Sequence, residues 1–141
     1  MNTKSRPLFH LAFPVSDIEA TRHFYIDVLG CKKGREAERW IDFNFFGHQI
    51  SAHLSPQEDN APSNEVDNHA VPVRHFGVIL EWSDWEALAE RLKKNNTQFI
   101  IEPYIRFKGL VGEQGTLFFK DPSGNALEFK TFRDPKMIFA E

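Results

Sequence analysis

Two histidines occupy the same sequence context in different halves of the chain. His10 opens "HLAFPVSDIEA" and His75 opens "HFGVILEWSDWEA", so each heads an apolar run that leads into Ser-Asp-x-Glu-Ala. A neutral imidazole binds transition metals, and near neutral pH it also transfers protons. One such histidine alone is more often a core or surface residue than a ligand, but the repeated context makes both candidates for chemistry.

A carboxylate near the end of the chain is the next candidate. In "NALEFKTF" the apolar Leu127 and Phe129 flank Glu128. If this segment is a strand, its side chains alternate between two faces, so Glu128 points away from the face that the two apolar residues share. A solvated charge on a strand is the ordinary alternative for a glutamate in this position.

His53 is a candidate for proton transfer. It follows Ser51 by two residues in "QISAHL", so a strand would place both side chains on one face. An imidazole there could carry a proton or act as an additional ligand. An exposed histidine on an edge strand is an equal alternative.

Two residues in "EPYIRFKG" are candidates for substrate contact. Tyr104 and Arg106 lie on the same face of a predicted strand, and the planar guanidinium of Arg106 suits a substrate carboxylate or phenolate. An exposed strand arginine is the equal alternative. The remaining histidines are predicted to be solvated or structural: His23, His48 and His69.

The elements that must position these residues follow one order twice. A β-prone run comes first, and then Ser16 with Glu19, or Ser83 with Glu86, forms a capping box that predicts a helix start. Gly30 is expected to end the first helix. Strand-like runs follow each helix, among them "RWIDFNFF" and "QISAHL" in the first half, and "TQFIIEPYIRF", "GTLFFK" and "NALEFKTF" in the second.

The segment "SPQEDNAPSNEVDNHAVP" separates the two copies. It is rich in Pro, Asn, Asp and Glu and has no hydrophobic periodicity, so we expect a loop over residues 55–72. Module one then spans about residues 6–54 and module two about 73–133. Because the chain has 141 residues and each half is too small to close a core alone, we expect residues 1–141 to form one domain.

Composition excludes several classes of function. The net charge of -3 and the pI near 6.1, without a basic stripe, argue against nucleic-acid binding. No apolar segment is long enough to cross a membrane, and the first residues carry no signal-like apolar region, so we expect a cytoplasmic protein. The single cysteine, Cys31, excludes an intrachain disulfide and a multi-cysteine zinc site.

In this order and spacing the motifs resemble the vicinal oxygen chelate superfamily, which includes glyoxalase I, bleomycin-resistance proteins, fosfomycin-resistance transferases and type I extradiol dioxygenases. The resemblance rests on "HFYIDVLG", the paired leading histidines and the closing "DPSGNALEF", and it covers nearly the whole chain. It implies an α+β fold of two βαβββ modules in one domain, whose mixed, curled sheets enclose a metal-binding cleft.

The resemblance also implies a ligand set. Metal ligands in that superfamily come from the first and last strands of the modules, which here points to His10, His75 and Glu128. Two imidazoles and a carboxylate suit Fe(II), Mn(II), Ni(II) or Zn(II) and leave coordination positions open for substrate. When Ile50 is aligned with Leu127, Ser51 takes the place of Glu128, and a serine there departs from the glyoxalase I pattern.

The expected function is therefore a metal-dependent enzyme, a dioxygenase, lyase or transferase, that acts on a small oxygen-chelating substrate. The fourteen phenylalanines favour an apolar or aromatic molecule. A non-catalytic drug-binding or resistance protein is the alternative, although it has no need for three ligand-type residues. A homodimer is compatible with the exposed edges that such sheets present.

Overall fold

The computed structural model describes residues 6–56, 63–66 and 69–141, with the side chains of residues 63–66 left out of the description. Within these residues there are ten strands: β1 (His10–Val15), β2 (Lys32–Ala37), β3 (Trp40–Phe45), β4 (His48–Leu54), β5 (Ser63–Val66), β6 (His69–Pro72), β7 (His75–Phe76), β8 (Phe99–Arg106), β9 (Gln114–Lys120) and β10 (Ala126–Phe132). The helical segments are α1 (Ile18–His23), a π-helical turn (Phe24–Val28), α2 (Trp82–Lys94) and a 3-10 turn (Pro135–Met137).

The chain divides into two compact units, Met1–Gln57 and Glu58–Glu141. The first has the order β1-α1-β2-β3-β4, and the second contains β7-α2-β8-β9-β10. Their sheets have matching strand orders, β1-β4-β3-β2 and β7-β10-β9-β8, and each combines one parallel pair with antiparallel pairs. The predicted α+β fold with two βαβββ modules and mixed sheets is confirmed. The assignment of both modules to one domain stays a prediction.

The core of the first unit lies between its sheet and the helical segment after β1. Tyr25 is fully buried, and its ring lies 5.7 Å from that of Phe13 and 5.0 Å from that of Phe43. Full burial of a side chain such as Phe43 stabilises the fold by roughly 1.5–3 kcal/mol relative to exposure. Because the apolar side chains of β1, β3 and β4 face this helix, the alternate residues face the other side of the sheet.

Two local predictions in the first unit need correction. The N-cap of α1 is Asp17, whose carboxylate accepts a hydrogen bond from the Ala20 amide at 3.0 Å, so the capping box predicted at Ser16 is wrong. The second prediction is a hairpin loop at Gly47-His48 between the two strand-like runs. The loop instead consists of Phe46 and Gly47, which both have positive φ angles, and β4 already begins at His48. Two successive left-handed residues match the right-handed twist of a hairpin.

The core of the second unit lies between α2 and the sheet. Helical spacing in "WEALAERLKKNN" predicts an apolar stripe on α2, and its residues are buried: Trp85, Leu88, Ala89 and Leu92. The indole nitrogen of Trp85 donates a hydrogen bond to the Phe129 carbonyl at 3.0 Å. The helix begins two residues earlier than predicted, with Glu81 as N-cap and no side-chain cap. The capping box predicted at Ser83 and Glu86 is therefore wrong.

A β-hairpin occupies part of the segment predicted as a loop. Strands β5 and β6 pair antiparallel, with Ser63 opposite Pro72 and Val66 opposite His69. Val71 is buried in a cluster with Ile101 and Phe118. The prediction of a loop is wrong for these two strands, because contacts with β8 and β9 compensate for the weak hydrophobic pattern. Residues 57–62 and 67–68 of the predicted linker lie outside the described residues.

A candidate metal centre

Two contacts fix the position of His75 at the start of β7. Its Nδ1 lies 2.8 Å from the Pro72 carbonyl oxygen. Because a carbonyl oxygen only accepts hydrogen bonds, Nδ1 must carry the proton and donate. A neutral imidazole in this tautomer presents the lone pair of Nε2 on the opposite side of the ring. The ring also packs edge-on against Phe118, with centroids 4.8 Å apart.

Glu128 lies in the middle of β10, between two fully buried residues. Leu127 and Phe129 face α2, and the Glu128 side chain points to the other face with 19% of its surface exposed. This confirms the alternation expected from the sequence. One carboxylate oxygen, Oε2, accepts a hydrogen bond from the Thr116 hydroxyl at 2.7 Å. The other oxygen, Oε1, faces His75.

The Nε2 atom of His75 and the Oε1 atom of Glu128 are 3.5 Å apart. This distance is longer than the 2.7–3.2 Å typical of a direct hydrogen bond. Two ligands bonded to one metal at about 2.1 Å leave their donor atoms roughly 3.0–3.5 Å apart at angles near 90–110°. The chemistry and spacing of this pair therefore fit two ligands of a divalent metal.

Parallel pairing of β7 with β10 brings these two residues together. Ala126 lies opposite His75 and Leu127 opposite Phe76, so Gly77 reaches the level of Glu128. The two backbones approach so closely there that a Cβ atom on Gly77 would lie 1.6 Å from the Glu128 carbonyl oxygen. Glycine at this position is required for the pairing that aligns both side chains.

His10 occupies the corresponding place in the first unit. It opens β1 and lies opposite Gln49 of the parallel strand β4, as His75 lies opposite Ala126. Alternation along this strand predicts Phe9 and Leu11 on the helix side and His10 on the other face. Phe13 is buried on the helix side and His10 is exposed, which agrees with that alternation, but Phe9 lies before β1 and is 60% exposed.

The same correspondence places Ser51 where the second unit has Glu128. Ser51 is buried, and its hydroxyl donates a hydrogen bond to Asp42 Oδ1 at 2.6 Å. A neutral hydroxyl whose proton is already bound to a carboxylate is a poor metal ligand. The structure thus agrees with the prediction that the first module offers no carboxylate at this position.

The other predicted site residues lie on the faces expected of them. His53 is exposed on β4 and shares the Ser51 face. Tyr104 pairs with Thr116, and Arg106 pairs with Gln114. Since Gln114, Thr116 and Phe118 alternate along β9, both β8 residues share the sheet face of Glu128. Their catalytic roles, and that of His53, stay predictions.

Neither unit by itself brings three predicted ligands together. Within each unit, the described His, Cys, Asp and Glu residues form no group of three that could hold a metal. The second unit contributes His75 and Glu128, and His10 belongs to the first. The complete ligand set therefore stays a prediction, with two of its members in contact.

The remaining histidines lie in structural or surface positions. His23 is exposed in α1 and its Nδ1 lies 2.9 Å from Asp27. His48 accepts a hydrogen bond from the Phe9 amide at 3.0 Å. His69 is exposed on β6 and pairs with Val66. These contacts agree with the sequence interpretation.

The loop between β8 and β9 is held by contacts of Glu113 with its own backbone and with Arg133, the residue after β10. Glu113 accepts a hydrogen bond from the Gly109 amide at 2.8 Å and pairs with the Arg133 guanidinium at 3.1 Å, and Arg133 stacks 3.5 Å above the Trp82 ring. The hydrogen bond from the Gly109 amide, and next the hydrogen bond from the Arg133 guanidinium, hold the pKa of the Glu113 carboxyl below its usual value. The glycines of "KGLVGEQG" predict a mobile loop here, and this mobility stays a prediction.

Sequence reasoning missed the groups that orient the ligand pair. These are the Thr116 hydroxyl, the Pro72 carbonyl and the Phe118 ring. The hairpin turn "DPSG" gives a partial signal, because pairing its flanking strands places Thr116 and Phe118 on the Glu128 face. Nothing in the local sequence indicates the Pro72 contact.

In the described part of the chain, no helix is both long and apolar enough to cross a membrane.

Comparison with known proteins agrees with this architecture. A curated relative, metallothiol transferase FosB from Staphylococcus saprophyticus, is 28% identical over 122 residues, covering 86% of this chain and 74% of the relative. A second metallothiol transferase FosB, from Staphylococcus haemolyticus, is 27% identical over the same length and is covered to 81%.

Solved structures share the fold. A glyoxalase/bleomycin resistance protein/dioxygenase from Alicyclobacillus acidocaldarius is 34% identical, with a TM-score of 0.80 and coverage of 98% of this chain and 100% of that one. The fosfomycin resistance protein FosX from Listeria monocytogenes has a TM-score of 0.69 at 14% identity and supports the fold alone, covering 95% of this chain and 98% of that one. The sequence profile of the Glyoxalase/Bleomycin resistance protein/Dioxygenase superfamily matches residues 8–129. The chain belongs to this superfamily, as its two-module fold indicates.

Proposed function

We propose that the protein is a divalent-metal-dependent enzyme whose small substrate binds the metal through adjacent oxygen atoms. His10, His75 and Glu128 are the proposed ligands. Fe(II), Mn(II), Ni(II) and Zn(II) all suit two imidazoles and a carboxylate, so the donor set does not single out one metal.

The observation that carries this proposal is the His75–Glu128 pair. Its facing donor atoms are 3.5 Å apart, and the far side of each residue is hydrogen-bonded to a protein group, Pro72 in one case and Thr116 in the other. Metal-binding histidines and carboxylates are usually oriented in this way by a second layer of hydrogen bonds.

The chain's own residues would bind and orient the substrate and move its proton. When bound, the metal would act as a Lewis acid that polarises the substrate oxygens. Arg106 and Tyr104, on the Glu128 face, are proposed to contact an anionic or phenolic group of the substrate. His53 is the proposed carrier of a proton. The apolar cluster of Val71, Ile101 and Phe118 lies beside the ligand pair and favours a substrate with an apolar part.

Thiol transfer to a small oxygenated molecule is the reaction to test first, because the curated relatives carry the name metallothiol transferase. Oxidative opening of a catechol is a second candidate. It rests on the two-histidine, one-carboxylate donor set, which is typical of Fe(II) sites with open positions. A homodimer and a cytoplasmic location remain predictions that accompany either reaction.

Anaerobic purification with metal quantification tests the proposal. We expect close to one equivalent of a divalent metal per chain after reconstitution. Turnover should then appear with one substrate class among epoxides with a thiol donor, catechols and hemithioacetals of 2-oxoaldehydes. A protein that binds a small molecule without metal would instead support the non-catalytic resistance role and contradict the proposed enzyme.

A further inference from the structure

Thr116 has a buried hydroxyl in contact with the proposed metal centre. It lies on β9, 4% exposed, and it pairs across the sheet with Lys130 while Glu128 pairs with Phe118. The Thr116 hydroxyl therefore reaches diagonally across the strand pair to Oε2 of Glu128, at 2.7 Å. Diagonal neighbours on one face of an antiparallel pair are within reach of such contacts.

Packing alone does not explain a threonine at this position. Burying a hydroxyl costs free energy unless it finds a hydrogen-bond partner, and valine has nearly the same shape without that cost. The Thr116 hydroxyl donates to a carboxylate, and hydrogen bonds to charged groups are roughly twice as strong as those between neutral groups. The hydroxyl is thus suited to holding the Glu128 carboxylate.

The direction of this hydrogen bond decides which oxygen of Glu128 is available. Oε2 is bound to Thr116, and Oε1 is left facing Nε2 of His75 at 3.5 Å. Rotation of the carboxylate would break the hydrogen bond, so Thr116 restricts the orientation of the proposed ligand before metal arrives. Less orientational freedom is then lost when metal binds.

We propose that Thr116 is a positioning residue that presents Oε1 of Glu128 to the metal and thereby sets metal affinity. This inference rests on the proposed function, because it concerns a ligand of the proposed metal. The hydroxyl acts through Glu128, and no contact of Thr116 with substrate is required.

A matched control lies on the neighbouring strand. Thr131 is fully buried on the opposite, helix-facing side of the sheet, where its neighbours include Gly115. Its hydroxyl makes no hydrogen bond within the described part of the chain. Thr131→Val therefore makes the same chemical change at equal burial without touching Glu128.

The test compares the metal affinity of four proteins by competition with a chromophoric chelator, using Zn(II) and Mn(II) as probes. We expect Thr116→Val to weaken affinity about 10–100-fold, the usual effect of removing a hydrogen bond to a metal ligand. Thr116→Ser, which keeps the hydroxyl, should stay within a few-fold of wild type, and Thr131→Val should match wild type. Thermal unfolding of the metal-free proteins checks the fold, and Thr116→Ala replaces Thr116→Val if the latter does not fold.

Three outcomes overturn the inference in distinguishable ways. If wild type binds metal and Thr116→Val binds it equally well, Thr116 only packs and the proposed function stands. Equal losses in Thr116→Val and Thr131→Val would also assign the effect to packing. If wild type binds neither metal, the proposed function fails, and the role of Thr116 fails with it.

Discussion

Gly77 lies against the backbone of Glu128 so closely that a Cβ atom would come within 1.6 Å of the Glu128 carbonyl oxygen. We therefore expect Gly77→Ala to separate β7 from β10 and to lower the free energy of unfolding by about 3 kcal/mol or more, because backbone cannot yield as a side chain can. It should also weaken metal binding by misaligning His75. Urea denaturation and metal titration measure the two effects.

Gly124→Ala is the control for this substitution. Gly124 has a φ of 85° and nothing within 4 Å of its missing Cβ, so alanine there adds left-handed strain of about 1–2 kcal/mol without a clash. If Gly77→Ala lowers the free energy of unfolding by no more than Gly124→Ala does, the backbones of β7 and β10 do not approach each other as closely as described.

Removal of either contacting ligand should abolish metal loading. We expect Glu128→Ala and His75→Ala to retain little metal after desalting and to lose activity, since only part of the donor set remains. The fold should persist, because both side chains are partly exposed, 19% for Glu128 and 33% for His75. Elemental analysis and circular dichroism provide the measurements.

An exposed glutamate on α2, replaced in Glu90→Gln, controls for a general effect of lost charge. Full metal occupancy in both ligand variants would refute the site.

His10→Ala tests whether the first unit contributes a ligand. We expect metal affinity to fall at least 100-fold, as for a lost ligand, with unchanged thermal stability of the metal-free protein because His10 is exposed. His23→Ala, another exposed histidine of the same unit, should bind metal as wild type does. Equal affinities of the two variants would exclude His10 from the ligand set.

His53 is expected to act after metal has bound. His53→Ala should retain metal and slow the proton-transfer step by about 100-fold or more if this imidazole is the acid–base group. Single-turnover kinetics and metal content, measured on the same preparation, separate the possibilities. Metal loss would instead make His53 a ligand, and unchanged turnover would assign it to the surface.

The contacts of Glu113 predict a pH dependence of stability. Its folded-state pKa is lowered, first by the Gly109 amide and then by Arg133. Its contribution is therefore present above the unfolded value of about 4.3 and is lost as pH falls through the lower folded pKa. Between pH 6 and pH 3, wild type should lose more unfolding free energy than Glu113→Gln in urea denaturation.

Glu102→Gln, at an exposed position on β8, controls for the change of charge. Its unfolding free energy should fall between pH 6 and pH 3 by the same amount as that of wild type. If the unfolding free energies of wild type and Glu113→Gln fall equally between pH 6 and pH 3, the contacts of Glu113 with Gly109 and Arg133 contribute nothing to stability.

The sequence by itself determined the repeated order of elements and the faces of the main strands. Alternation is a local property with a period of two residues, so Leu127 and Phe129 alone decide the direction of Glu128. The burial of the stripe that begins at Trp85 follows in the same way from the helical period. Family resemblance added the ligand set, which local patterns do not contain.

Local signals failed where several residues compete for one role. Ser16 and Asp17 both suit an N-cap, and the position of the first turn against the sheet selects Asp17. Glu81 precedes α2 because packing extends the helix beyond the Ser83 signal.

Three strands had no local signal. β2 is exposed at every position, so it lacks the hydrophobic alternation by which a strand is recognised. Strands β5 and β6 were missed because contacts with distant residues stabilise them.

Only the tertiary structure decided which groups surround the proposed ligands. His75 and Glu128 are distant in sequence, and their contact depends on the parallel register of β7 and β10 and on the absence of a side chain at Gly77. Parallel strands are joined through a long crossover, which leaves no local sequence signal for register. For this reason Thr116 and the Pro72 carbonyl, the groups that orient the pair, are recognised only once the strands are paired.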